Sequence, residues 1–319
     1  MKGLTDIPGV LVGHASDYDA LTGCTAILCE AGAVAGGDIR GSATGTEEWD
    51  LLNPMHVTQR IHAVVFSGGS AFGLDAVSGA RRHLDHKGIG FETGAAKVPL
   101  VVGAILYDLG IGKAGKRPSR EMGESAAAAA TDSAVAEGAV GAGTGATVGK
   151  LFGMPQAMKS GVGSWTVDLE GPLTGVKVSA LAAVNAVGDV IDPATGKIVA
   201  GARKSRDSME FADSARAMKA GRSTGFARSN TTLVVIATNA RLNKVEATKL
   251  AQLANLGVAR TINPVNTMSD GDVVIALSAG DAQANVESLG VAAAEAVSES
   301  ILRAVRLAPT LGGIPGLKK

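Results

Sequence analysis

The stretch Ser229-Asn230-Thr231-Thr232-Leu233-Val234-Val235-Ile236-Ala237-Thr238-Asn239-Ala240 carries the architectural signal of this chain. Apolar residues follow one another without interruption from Leu233 to Ala237. A strand with one wet face would alternate, so this one is expected to be buried on both faces. Similar strand-like runs occur at 9–12, 25–28, 63–66, 98–107, 176–187, 257–262 and 272–278. Val and Ile enrich several of them, and Gly, Asp or Asn bound most. Four further segments, 71–86, 120–137, 244–254 and 282–307, carry helical patterning. Asn243 and Glu246 form a capping box in front of the third. Ser70 reads as the N-cap of the first. Ala-rich helices with doubly buried strands predict a layered α/β fold. Helices cover its outer faces and two sheets pack together inside.

Composition narrows the function. The chain has 319 residues, 46% apolar and 19% charged, which is globular rather than disordered. Thirty basic side chains balance thirty acidic ones, so the basic footprint of a nucleic-acid binder is missing. Two Trp, two Tyr and six Phe are too few for a base-stacking platform. The apolar runs reach about half of the ~20 residues that a membrane span needs. No basic segment followed by an apolar one opens the chain, so a cytoplasmic protein without membrane partners is expected. Cys24 and Cys29 fit no zinc or redox spacing. On a strand they would face opposite ways, as separate buried thiols.

Familiar motifs fail. Gly141-Ala142-Gly143-Thr144-Gly145-Ala146-Thr147-Val148-Gly149-Lys150 invites a phosphate-loop reading. That loop needs Gly at Thr144 and Ser or Thr at Leu151. His14, His56, His62, His83 and His86 form no metal-binding pattern. The string Gly68-Gly69-Ser70-Ala71-Phe72-Gly73 is no nucleophile elbow. No metal and no cofactor is expected.

Two features do fit a chemistry. A polar Gly/Ser/Arg-rich approach meets the buried strand at Asn230-Thr231. A cut before Thr231 would give that residue a free α-amine beside its own hydroxyl. With a pKa of ~8, the amine could serve as general base. An ordinary loop-to-strand junction is the bland alternative. Downstream, Asp270 and Asp272 flank Gly271 just before another buried strand. Period two points both to one side, where like charges raise a pKa and call for a cation. A turn with solvated carboxylates is the bland alternative there.

The string from Asn230 to Leu242, with Asp270-Gly271-Asp272 some forty residues on, resembles the DmpA-type aminopeptidases. That family comprises L-aminopeptidase/D-amidase/esterases, β-peptidyl aminopeptidases and nylon-oligomer hydrolases. Supporting motifs are Gly36-Gly37-Asp38-Ile39-Arg40-Gly41, residues 66–74, 98–108 and 145–150, and Val184-Asn185-Ala186-Val187-Gly188. The resemblance implies an αββα sandwich of the N-terminal-nucleophile-hydrolase kind, shared with ornithine acetyltransferases. It implies one catalytic domain over 1–319, self-cleaved into 1–230 and 231–319. Asn230 and Thr231 would flank the cut, and Thr231 would be the nucleophile. The chain looks like the endo-type 6-aminohexanoate-oligomer hydrolases in particular. On that resemblance Asp270 and Asp272 orient Thr231 and its amine, Asn185 helps bind the oxyanion, and Tyr107 and Lys150 are further active-site residues. The β-peptidyl and D-amidase members use Ser as nucleophile and a different pair at the two Asp positions. Small peptides or amides are the implied substrates, and a homo-oligomer, often a tetramer of processed units, the implied assembly. Acyl transfer of the ornithine acetyltransferase type and a non-catalytic uncut scaffold are the alternatives.

Overall fold

The structure, a computed structural model, describes residues 2–222 and 230–319. Residues 223–229, most of the Gly/Ser/Arg-rich approach to the junction, lie outside the described residues. Eight strands organise the molecule: β1 (Leu11–Asp17), β2 (Thr22–Ile39), β3 (Arg60–Ser67), β4 (Val101–Ile105), β5 (Val162–Asp168), β6 (Lys177–Asn185), β7 (Thr231–Ala240) and β8 (Val273–Ala282). The helices are α1 (Asp75–His86), α2 (Arg120–Ala128), α3 (Ser214–Lys219), α4 (Lys244–Thr261) and α5 (Val286–Arg306).

Strand β2 belongs to two half-sheets. Its first half pairs with β1 and β3, and β3 pairs in parallel with β4. Its second half pairs with β8, and the order continues β7, β6, β5. The β2–β3 register shifts between Leu28 and Ala33. Gly32 sits in that break at φ 78°, a conformation glycine adopts without strain.

Three cores make four layers. Ile27, Phe66 and Val102 of one half-sheet meet Leu181, Leu233, Val235 and Ile275 of the other. Val178, Val234, Ile236 and Val274 face outward onto Leu250, Val258, Leu289 and Val297 of α4 and α5. Cys24, Ala26, Val65 and Val101 face outward onto Val77 and Leu84 of α1 and Ala126 of α2. The unbroken apolar run of β7 is thus explained, since its odd positions enter the central core and its even positions the helical one. Cys24 and Cys29 lie in different cores, both free, and burial pushes each thiol up to about 12.

Several boundaries differ from the sequence reading. Residues 257–261 continue α4 instead of forming a strand, because Val258 lies four residues after Ala254 on the same buried face. Gly257 is where α4 meets α5, and a Cβ there would stand 2.3 Å from the Ala294 carbonyl oxygen. Helix α2 stops at Ala128, since Thr131 exchanges backbone hydrogen bonds with Val12 of β1. Ser70 is not a helix cap: it opens the 3-10 turn Ser70–Leu74 after Gly69, and α1 starts at Asp75. Asn243 and Glu246 do form the reciprocal capping box. Among the described residues no helix is long and apolar enough to cross a membrane.

Candidate active site

Strands β7 and β8 run parallel, with α4 as their crossover, so both begin at the same edge of the sheet. Leu233 pairs with Val273. Extended back two places, that register sets Thr231 beside Gly271, and Asn230 forms a bridge with Asp270. Strand β6 runs the other way and ends there, with Asn185 opposite Thr231. Three strand ends therefore bring together residues far apart in sequence. Thr231, Asn185, Asp270 and Asp272 are all buried.

The Thr231 hydroxyl donates to the Asn230 carbonyl at 2.5 Å. The Gly271 N–H donates to the same carbonyl at 2.7 Å. Asp272 accepts from the Thr232 N–H at 2.6 Å and the Asn266 N–H at 3.0 Å. Asp270 Oδ2 accepts from the Thr267 N–H at 2.9 Å and its hydroxyl at 2.6 Å. The other oxygen, Oδ1, is buried without a hydrogen bond of good geometry among the described residues. Backbone N–H groups of Arg40, Gly41 and Ala43 donate to the carbonyls of Asp272 and Asp270. A Cβ at Gly41 would stand 2.2 Å from the Asp270 carbonyl oxygen, so the Gly-Gly-Asp-Ile-Arg-Gly motif ends as a backing for the two aspartates.

Lys150 Nζ donates to the Asn185 carbonyl and to Asn185 Oδ1, both at 2.8 Å. Asn185 Oδ1 also accepts from the Thr147 N–H at 3.1 Å, and Nδ2 donates to the Tyr107 carbonyl at 2.9 Å. Donors on one side and an acceptor on the other leave a single orientation for this amide. Burial lowers the Lys150 ammonium to about 7, although Asp270, Asp108 and Asp272 pull the other way. Burial likewise raises Asp272, and the Asp270 charge adds to it. Asp270 is raised by burial too, against opposing effects of Thr267, Lys150 and the Val187 N–H. Desolvation outweighs mutual attraction throughout this water-excluded cluster.

A cavity of about 160 Å³ opens beside Asn230. Tyr107, Ile111, Thr147, Lys150 and Met154 contribute to its walls. The structure thus gathers Thr231, Asn185, Lys150, Asp270 and Asp272 into one cluster, with Tyr107 joined to it through its carbonyl.

Sequence reasoning missed several contributors. Asp108 sits in the cavity wall, accepts from the Thr22 hydroxyl at 2.6 Å and the Gly69 N–H at 2.7 Å, and is raised by burial. Thr267 fixes Asp270, and the local Thr-x-x-Asp spacing was the signal for it. Lys159 is fully buried, and its ammonium donates to the carbonyls of Gly143, Ala146 and Ser160. It thereby holds the glycine-rich segment that delivers Thr147 and Lys150, and burial lowers it to about 7. A lone lysine gives no such signal in sequence.

Known proteins resemble this chain along nearly its whole length. The description of peptidase family S58 matches residues 2–318. A protein of Mycobacterium leprae named as an uncharacterized aminopeptidase is 37% identical, with 99% of this chain and 93% of that one covered. A 6-aminohexanoate-oligomer endohydrolase of Kocuria is 29% identical, covering 94% of this chain and 85% of its own. The solved β-aminopeptidase of Burkholderia is 25% identical, with a TM-score of 0.72 over 99% of this chain and 90% of that one. The L-aminopeptidase D-Ala-esterase/amidase of Ochrobactrum anthropi, described as a variant of the Ntn hydrolase fold, has a TM-score of 0.73 at 19% identity, covering 98% of this chain and 88% of its own. Matched along residues 2–318, this chain belongs to peptidase family S58 and is a hydrolase acting on peptide or amide bonds.

Proposed function

We propose that the hydrolase is made as a single-domain precursor that cuts itself between Asn230 and Thr231, and that the freed Thr231 is the nucleophile of the mature enzyme. The observation that carries this reading is the Thr231 hydroxyl, buried at a strand end and hydrogen-bonded to the carbonyl it would attack. Its neighbours support the reading: Asn230 lines the cavity, Asp272 accepts from the N–H of Thr232, and Asn185, opposite Thr231 on the next strand, is held by the buried Lys150.

In turnover, Thr231 Oγ1 attacks the substrate carbonyl and the new α-amine takes its proton. Asp270 and Asp272 orient the amine, and the positive charge it gains with that proton offsets their burial. Asn185, locked by Lys150, Thr147 and Tyr107, supplies a donor to the oxyanion. The amine product leaves, and water releases the acyl group from Thr231. Small peptides, amino-acid amides and ω-amino-acid oligomers are the substrate classes, in keeping with relatives named as aminopeptidases and a 6-aminohexanoate-oligomer endohydrolase. A cytoplasmic homo-oligomer of processed units completes the proposal. Thr231→Ala should yield one uncut, inactive chain, whereas efficient cutting of that variant overturns the reading.

A further inference from the structure

The Asn230 carbonyl oxygen receives two short hydrogen bonds, from the Thr231 hydroxyl at 2.5 Å and the Gly271 N–H at 2.7 Å. They differ in what happens next. The hydroxyl is the attacking group, and once its oxygen bonds to carbon it has no proton for the carbonyl oxygen. The Gly271 N–H is part of the backbone and stays in place.

We propose that the Gly271 backbone N–H is the oxyanion donor of the self-cleavage step. This rests on the self-processing reading and names a group that reading leaves unassigned. As the Thr231 Oγ1–C bond forms, the carbonyl π pair moves onto the Asn230 oxygen, where the Gly271 N–H meets the charge. The Oγ1 proton ends on the Thr231 nitrogen. Collapse restores the carbonyl and breaks the C–N bond, whose electron pair stays with nitrogen. The products are an Asn230–Thr231 ester and a free amine, and water hydrolyses the ester.

Three observations support the assignment. The donor is preorganised, because Asp270 and Asp272 on either side are pinned by Thr267, Thr232, Asn266 and the 40–43 backbone. Glycine is required for its approach: a Cβ at 271 would stand 2.7 Å from Thr231 Oγ1 and 2.9 Å from the Ala43 carbonyl oxygen. Asn185, the side-chain candidate for the substrate oxyanion, has Oδ1 and one Nδ2 hydrogen engaged by Lys150, Thr147 and Tyr107, whereas the Gly271 N–H already donates to the Asn230 carbonyl in the uncut chain.

The test replaces Gly271 with glycolic acid during translation, which exchanges this N–H for an ester oxygen and adds no side chain. Intact mass against time should show self-cleavage slowed by ~10²–10³, the usual effect of losing one oxyanion donor. Circular dichroism checks that the chain is folded. Cleavage at the unmodified rate overturns the assignment. If the ester chain does not fold, NMR on uncut Thr231→Ala protein decides, using ¹⁵N-glycine and ¹³C-carbonyl asparagine. A coupling across the hydrogen bond from Gly271 N to the Asn230 carbonyl carbon is expected, and its absence overturns the proposal. Cleavage of Thr231→Ala itself would instead overturn the parent reading, so the two failures are distinct.

Discussion

Asn185 connects the most partners at the site, and its replacement is the sharpest residue-scale probe. Asn185→Leu keeps the approximate volume but leaves the Thr147 N–H, the Lys150 ammonium and the Tyr107 carbonyl short of a partner. Each orphaned buried group costs about 1–3 kcal/mol. Urea unfolding should therefore show a loss of several kcal/mol, and kcat should fall by ~10² or more if the amide holds the oxyanion. Wild-type kcat in a folded Asn185→Leu enzyme would withdraw that role. Thr231, Asp270 and Asp272 stand in short strings whose neighbours declare a strand start, and it is the resemblance to the DmpA-type aminopeptidases that marks them as site candidates. Asp108 and Lys159 were not. Their meaning comes from burial by distant segments, such as Thr22 against Asp108, and no local spacing encodes it.

At the scale of elements, the packing of α1 on α2 depends on missing side chains. A Cβ at Gly123 would stand 1.9 Å from the Ala76 carbonyl oxygen, and one at Gly79 equally close to that of Arg120. Alanine is the better helix former by ~1 kcal/mol. The clash with backbone outweighs that gain, so Gly123→Ala should destabilise the protein by about 1–3 kcal/mol. Gly115, with nothing within 4 Å, is the control, and Gly115→Ala should leave the urea midpoint unchanged. Equal behaviour of the two variants would contradict the close approach. The sequence marked β7 well because its apolar run has the length and β-branched content of a strand. It misread 257–262, because a short buried apolar run looks alike in a helix and a strand. It also read Gly257 as a boundary, whereas that glycine serves a helix crossing.

Across the whole molecule, two buried lysines shape the response to pH. Lys150 and Lys159 are each lowered to about 7 from an ordinary 10.5. Between those values the unfolded chain binds more protons than the folded one, so both lysines make stability rise with pH in that window. The raised carboxylates Asp108, Asp189, Asp270 and Asp272 act oppositely. They hold protons in the folded chain above the ordinary carboxylate range, so their ionisation lowers stability as pH rises through the values they adopt. Lys159→Met should flatten the stability slope between pH 7 and pH 10, measured by urea unfolding in uncut Thr231→Ala background. An unchanged slope would mean that Lys159 keeps its proton throughout. The layered class of the fold was legible from composition and doubly buried strands. The joining of both half-sheets through β2 was not, since β2 pairs on one side with nearby β3 and on the other with β8, near the far end of the sequence. The central claim, that the chain becomes an enzyme by cutting before Thr231, is tested most directly by intact mass and N-terminal sequencing of freshly purified protein. By length, a 31.9 kDa chain cut there gives pieces of roughly 23 and 9 kDa. The account predicts those two masses, with the smaller piece beginning Thr-Thr-Leu-Val. A single 31.9 kDa species that stays whole over days and still hydrolyses amides would contradict it.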